Sequence, residues 1–316
     1  MNETQRISDL INAYSNILLI IHQFPDGDTI ASSLALYIAL KKLAKNVTIA
    51  CNDSVPEPFL FLPKAREIKR DFLQGDWDLI IVLDCGDLRR TGYSDRIKAF
   101  AGRKKRLINI DHHPRNDLHK IANINFFDES VAAVAELVEP IITMLGVEIE
   151  KEIATCLLTA IYTDTGGFMH SNTTPETLSL ASKLLSRGAR LKLIIQNINN
   201  ARTLPSLKLW GKALERIVYN SKYEIVYSII TQKDILECDA KSSDVAGVVN
   251  LINNIPNANA VILFCEYQGN EIRVSLRTEK KGVDLSRLAN FFGGGGHKKA
   301  AGFNFQGKIS RLVDLR

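Results

Sequence analysis

His22, Asp26 and Asp28 follow one apolar run in LLIIHQFPDGDTIASS. Asp84 and Asp87 follow another in LIIVLDCGD, and Asp111, His112 and His113 follow a third in RLINIDHHP. Asp164 stands in YTDTGGF, ahead of two glycines that suit a helix stop. Taken singly, each group has a plain structural reading. Asp28 could cap a helix, Asp84 and Asp87 could close a strand-to-loop turn, and the histidine pair before Pro114 could lie in a surface turn. Their recurrence at the ends of several predicted strands is what independent turn chemistry would rarely produce. Were Asp26, Asp28, Asp84 and Asp164 to converge, their mutual repulsion in a partly desolvated cleft would amount to several kcal/mol. Such a cluster needs cations. One divalent ion would not easily use four carboxylates and two imidazoles, whereas two ions about 3.5 to 4 Å apart, sharing one carboxylate, would. The oxygen-rich set without thiolate suits two Mn²⁺, with Mg²⁺, Co²⁺ or Fe²⁺ as substitutes. A pair of metals of this kind activates water for in-line displacement at phosphorus, which points to phosphoester hydrolysis.

The elements that must position these groups are legible as alternating strands and helices. Ile17 to Ile21 is a continuous apolar run, residues 30–43 carry apolar groups at helical spacing, and Val47 to Ala50 begins a second strand. The order recurs with Asp78 to Asp84 as a strand, DRIKAF as part of a helix and Arg106 to Asp111 as the next strand. Buried strands alternating with helices predict an α/β chain with a parallel, Rossmann-like N-terminal sheet, whose strand ends share one edge. From about residue 129 to 188 the chain reads as mostly helical, with SVAAVAELVEPIITML and KEIATCLLTAIYTD as the clearest segments. After a connecting region, YEIVYSII, ANAVILFCEY and NEIRVSLRT read as strands, and SSDVAGVVNLINNI and DLSRLANFF as helices. A second, smaller α/β domain is expected, with the functional cleft between the two. The boundaries are placed at 1–190 for a metal-binding catalytic domain, 191–220 for a helical linker and 221–316 for a substrate-binding domain.

Length and composition agree with a folded chain: 316 residues, 46% hydrophobic and 24% charged. The formal charge of +5 leans towards anionic partners without the dense basic runs of a duplex-DNA binder. The first residues lack a signal-peptide pattern and no apolar run approaches a membrane span, so a cytoplasmic protein without membrane contact is expected. The five cysteines are scattered, without a Cys-x-x-Cys pair, which argues against a disulfide framework or a structural zinc site.

Near the C-terminus, GGGGHKKAAGF places Gly293, Gly294, Gly295 and Gly296 ahead of His297. Four glycines permit a nest of amides aimed at an anion, with His297 as a further donor; the same run also reads as a flexible turn. Upstream, Arg273, Ser275 and Arg277 alternate onto one face of a strand, a polar face suited to phosphate.

With HQFPDGD, LDCGD, DHH, TDTGGF and GGGGHKKAAGF in that order, the chain resembles the DHH phosphoesterase family with its associated C-terminal domain. It looks closest to the branch that degrades very short RNA and dephosphorylates pAp. The resemblance implies one metal on His22, Asp26 and Asp84 and a second on Asp28, Asp84, His112 and Asp164, with Asp84 bridging. His113 would face the scissile phosphate, Asp111 would orient an imidazole, and Asp87 would support the site or close its turn. Arg277, Gly293 to Gly296 and His297 would contact substrate. One departure is TIA after Asp28, where the family commonly has a small pair ending in glycine. Short single-stranded RNA, dinucleotides and pAp are the expected substrates, with a homodimer considered as the assembly. A cyclic or linear dinucleotide phosphodiesterase, and a nucleotide sensor without turnover, are the alternatives.

Overall fold

The computed structural model describes residues 2–73, 77–104, 106–114, 117–198, 203–267 and 269–309. The chain divides into two units, 1–201 and 202–316.

The first unit runs α1 (Glu3–Ala13), β1 (Asn16–Ile20), α2 (Gly27–Lys42), β2 (Asn46–Ala50), β3 (Leu79–Leu83), α3 (Ser94–Lys104), β4 (Leu107–Asp111), α4 (Leu118–Ile121) and β5 (Ile124–Phe127). Helices α5 (Ala135–Met144), α6 (Lys151–Asp164), α7 (Pro175–Ser186) and α8 (Leu191–Ile198) complete it. The strands form one parallel sheet in the order β2-β1-β3-β4-β5. β3 and β4 are buried at every position, because helices cover both faces of the sheet. Ile17, Leu19, Ile81 and Ile110 pack towards α2, α5 and α6, while Leu18, Ile20, Val82 and Leu107 pack towards Ile97 of α3 and Leu118 of α4. Parallel pairing puts β1, β3 and β4 side by side with their carboxyl ends on one edge.

The second unit contains α9 (Leu204–Glu215), β6 (Val218–Asn220), β7 (Ile225–Ile230), α10 (Gln232–Glu237), α11 (Val248–Ile252), β8 (Ala260–Tyr267), β9 (Glu271–Arg277), α12 (Leu285–Phe291), β10 (Gly295–Gly296) and β11 (Ala300–Gln306). Its sheet has the order β10-β11-β9-β8-β7-β6, with β7 and β8 parallel and the other pairs antiparallel. One face packs Val226, Val261 and Leu263 with Leu209, Val248 and Ile252. The other packs Val274, Leu276 and Ala301 with Leu285 and Ala289.

Several boundaries differ from the sequence reading. Segment 191–220, expected as a linker, divides between the units: Ile194 of α8 joins the first core and Leu209 of α9 the second, with 199–202 outside the described residues. The expected helix in SSDVAGVVNLINNI is broken at Gly247 (φ 91°), leaving α11 short. Strands β5 and β11 carry no sequence signal of their own. INFF is too brief for a period, and AAGFNFQ lacks β-branched residues, so pairing to β4 and β9 decides their conformation.

The second unit is tied at α10 by an ion pair. Asp234 accepts from both guanidinium nitrogens of Arg216 and closes a capping box with Thr231. Burial pushes the Asp234 carboxyl up, but Arg216 and Thr231 outweigh it and hold it at about 2. A folded-state pKa below the unfolded value of about 4 means stability that is present above pH 4 and lost as pH falls through 2. Asp234→Asn is expected to lower the unfolding free energy by about 2 kcal/mol at pH 7, discounted for the partly solvated Arg216, and by progressively less between pH 4 and 2. Urea unfolding at a series of pH values measures this; a constant difference down to pH 2 would contradict it.

Candidate metal centre

The three adjacent strands deliver the first groups. His22 lies two residues beyond β1, Asp84 immediately follows β3, and Asp111 ends β4 with His112 and His113 behind it. Asp84 takes a left-handed backbone (φ 56°) while its amide still donates to the Ile110 carbonyl. A non-glycine residue in that region is uncommon, and here it turns the carboxylate back over the strand ends.

Helices α2 and α6 deliver the rest. Asp26, not Asp28, is the N-cap of α2, accepting from Thr29 N at 3.2 Å, so the cap reading of Asp28 is corrected. Asp28 sits inside the first turn, fully buried, accepting from Ser32 Oγ and from Val134 N, each at 2.6 Å. Asp164 is the last residue of α6, and the Gly167 amide closes that helix onto the Tyr162 carbonyl. The two helices cross with almost no space between Gly27 and Thr163, where a Cβ would overlap the Thr163 side chain. That close approach is what brings the next residues along, Asp28 and Asp164, to one place. Ser32, Val134, Gly27 and Thr163 support the site without having stood out in the sequence. Ser32, one helical turn after Asp28, was the available signal.

Gly27→Ala is expected to cost about 1 to 3 kcal/mol through overpacking and to weaken metal binding by separating Asp28 from Asp164. Chemical denaturation of the metal-stripped protein and Mn²⁺ calorimetry report the two effects. Unchanged values in both would refute the role given to this contact.

The side chains meet in three groups: His22 with Asp26 and Asp84, Asp28 with His112 and Asp164, and Asp84 with His112 and His113. His22 Nε2 lies 3.6 Å from Asp26 Oδ2 and 3.9 Å from Asp84 Oδ2. His112 Nε2 lies 3.6 Å from Asp84 Oδ1 and 3.6 Å from Asp164 Oδ2. The two oxygens of Asp84 therefore face different imidazoles. His22 Nδ1 is 2.7 Å from the Gln23 carbonyl and His112 Nδ1 3.3 Å from the Val131 carbonyl. A carbonyl only accepts, so each ring carries its proton on Nδ1 and turns Nε2 to the carboxylates, the arrangement that metal-ligating histidines use.

The electrostatics favour a cation here. Burial, with the Asp84 charge, pushes the Asp28 carboxyl up to about 7, and burial with Asp28, Asp26 and Asp84 raises Asp164 well above the carboxylate range. Burial disfavours charge on His22, yet the carboxylates of Asp26 and Asp84 outweigh it and raise its pKa. Asp26, whose side chain is more than half exposed, shows the complementary effect: desolvation by the surrounding site opposes its charge, but His22 and the Thr29 amide outweigh it and hold it at about 2. His22 Nε2 and Asp84 Oδ1 are buried without a hydrogen-bond partner. Orphaned, opposed lone pairs in an oxygen-rich, thiolate-free setting fit divalent ions of the Mn²⁺ or Mg²⁺ kind.

His113 is held differently. Its Nδ1 lies 2.8 Å from Asp111 Oδ1, which also accepts from the His113 amide, while Asp111 Oδ2 accepts from Gly86 N at 3.1 Å. Burial disfavours its charged form, but Asp111 and Asp84 outweigh this and push its pKa up to about 11. Burial likewise opposes ionisation of Asp111, and the His113 contacts keep its pKa low. Asp87 closes the turn after β3, accepting from Arg90 N at 2.8 Å.

Residues 16–161 match the model of the DHH family, N-terminal domain, and residues 223–315 match the DHHA1 domain. The bifunctional oligoribonuclease and PAP phosphatase NrnA of Thermus thermophilus is 33% identical over 92% of this chain and 84% of its own length. The chain belongs to the DHH family. NrnA of Mycoplasma genitalium is 31% identical over 94% of this chain and 91% of its own. An exopolyphosphatase-related protein from Bacteroides fragilis superposes with a TM-score of 0.88 at 28% identity, covering 99% of this chain and 92% of that one.

Within the DHHA1 unit, the residues expected at substrate are placed on β9 and the β10–β11 turn. The amides of Gly293 and Gly294 donate to Asn290 and Ala289, closing α12, so they do not form the open nest that the glycine run suggested. A helix end needs partners for its last carbonyls, and these amides are the nearest. His297 is exposed, in a turn where its amide donates to the Ala300 carbonyl. Arg277 is half-buried, its Nε donating to Asn250 Oδ1 and Nη1 to the Leu276 carbonyl. Arg273 is exposed and lines a cavity of about 300 Å³ with Ser275, Gly294, Phe303 and Asn304.

Proposed function

We propose that this protein is a metal-dependent phosphoesterase that hydrolyses short RNA oligonucleotides to mononucleotides and removes the 3′-phosphate of pAp to leave AMP. The observation that carries the reading is Asp84, whose two oxygens face His22 on one side and His112 on the other, at the junction of two acid and imidazole groups. Naming of the Thermus and Mycoplasma relatives as oligoribonuclease and PAP phosphatase supports the substrate class.

One metal would be held by His22, Asp26 and Asp84, the other by Asp28, Asp84, His112 and Asp164. Two bound Mn²⁺ would supply an activated water and neutralise charge at phosphorus. The remaining work falls to side chains. Asp28 is fixed by Ser32 and Val134, and the two ligand imidazoles by backbone carbonyls, so the site needs little rearrangement. His113, oriented by Asp111, would give a proton to the leaving oxygen as the phosphorus to oxygen bond breaks, while the attacking water bonds to phosphorus and releases its own proton to solvent. Arg277 and His297, with Gly295 and Gly296 of the glycine run, are the proposed nucleotide contacts of the DHHA1 unit.

Product analysis on RNA of two to five nucleotides, a long single strand, pAp, cyclic di-AMP and pyrophosphate tests this. Mononucleotides from the short RNAs and AMP from pAp are expected. Cleavage of cyclic di-AMP alone, or no turnover of any of them, would overturn the substrate assignment.

A further inference from the structure

Arg90 stands beside the acid cluster, and among the described residues no ion pair consumes it. Its backbone is fastened at both ends: the amide donates to Asp87 Oδ1 at 2.8 Å, and the carbonyl accepts from Gln23 N at 2.7 Å. The turn after β3 is thereby tied to the loop that carries His22 and Asp26. The side chain folds back over Gly86. Arg90 Nη1 lies 3.1 Å from the point a Gly86 Cβ would occupy, and His113 Cδ2 and Cγ lie 3.6 Å from that same point. Gly86 (φ 59°) leaves the space that lets the guanidinium and the imidazole flank one spot. On its other side the Arg90 charge reaches His22 and Asp26, opposing protonation of both.

An arginine within electrostatic reach of a carboxylate such as Asp26 ordinarily collapses onto it as a bidentate pair. Arg216 does so with Asp234, and even the exposed Arg89 approaches Asp87 to 3.9 Å. Arg90 is half-buried, and among the described residues its guanidinium closes neither an ion pair nor a hydrogen bond. A positive fork held next to His113 without a protein anion is arranged for an anion that arrives.

We propose that Arg90 grips a non-bridging oxygen of the scissile phosphate beside His113, an inference that rests on the phosphoesterase reading. The planar fork matches phosphate geometry, and its charge meets the negative charge on the phosphoryl oxygens in the transition state. Asp87 then acts as a positioning residue, setting the turn from which Arg90 returns to the site.

The test uses the full chain loaded with Mn²⁺, comparing wild type with Arg90→Gln and Arg90→Lys. Metal stoichiometry, inorganic phosphate binding by calorimetry, and kcat and KM on pAp are read separately. Arg90→Gln is expected to keep the wild-type metal count, to bind inorganic phosphate at least about 10-fold more weakly and to lose about 100- to 1000-fold in kcat/KM. Arg90→Lys, which keeps the charge and loses the fork, should fall between. Phosphate affinity and turnover within threefold of wild type would overturn the proposal. So would loss of metal in both variants, which would make Arg90 a support of the metal site. If wild type turns over pAp while phosphate binding is indifferent to Arg90, the functional reading stands and this inference fails. If wild type neither binds phosphate nor turns over, the functional reading itself fails and takes this inference with it.

Discussion

Asp84→Asn is expected to reduce turnover of pAp and short RNA by at least about 1000-fold while leaving the metal-stripped protein as stable as wild type. Asparagine suits the test because it tolerates the left-handed backbone that Asp84 adopts and nearly matches its shape. What changes is the charge. Asp84 is 1% exposed and sits between the His22 and His112 nitrogens, so its neutralisation weakens both proposed metal positions together. In the metal-free chain the same substitution removes a like charge that raises Asp28 and Asp164, but also a counter-charge that His22 and His113 face, so the two effects oppose and thermal unfolding in chelator should change little. Function and stability are thus separable at one buried residue. Near wild-type turnover in Asp84→Asn, with full metal occupancy, would contradict the bridging role.

His113→Gln should lower kcat by about 100- to 10,000-fold with metal stoichiometry unchanged. The two adjacent histidines are separated by their hydrogen bonds. His112 gives its Nδ1 proton to a backbone carbonyl and turns Nε2 to Asp84 and Asp164, whereas His113 directs Nδ1 at Asp111. Deleting His112 should therefore cost metal, and deleting His113 should cost proton transfer. A leaving group that needs no proton separates the two readings further: with a p-nitrophenyl phosphoester the His113→Gln defect should shrink by at least about tenfold. An equal defect on both esters would place His113 outside the proton-transfer step. Loss of bound metal would make it a ligand.

Much of this site was legible because parallel strands put their carboxyl ends on one edge. The apolar runs of β1, β3 and β4 located that edge, and the acid and imidazole groups directly after them could be expected to meet there. The helix-borne members were harder to read. Asp28 could be taken for a cap because nothing in GDTIASS reveals that Asp26 already accepts from Thr29. The contact of Gly27 with Thr163, which joins Asp28 to Asp164, is a tertiary fit between residues far apart in the chain and has no local signature. The C-terminal glycines show the opposite error. Their composition permits an anion nest, but the need to close α12 decides where the Gly293 and Gly294 amides go. Arg90 could not be singled out at all, since a pair of arginines in a turn reads as solvated charge until Gly86 and His113 are seen against it.

The most direct measurement is a titration of the metal-stripped protein with Mn²⁺, following bound metal by calorimetry and AMP release from pAp in the same samples. Saturation at two ions per chain, with turnover that appears as they bind and disappears with chelator, is the predicted result. Full turnover in the stripped protein, or saturation and activity at a single ion, would contradict a centre built on both oxygens of Asp84.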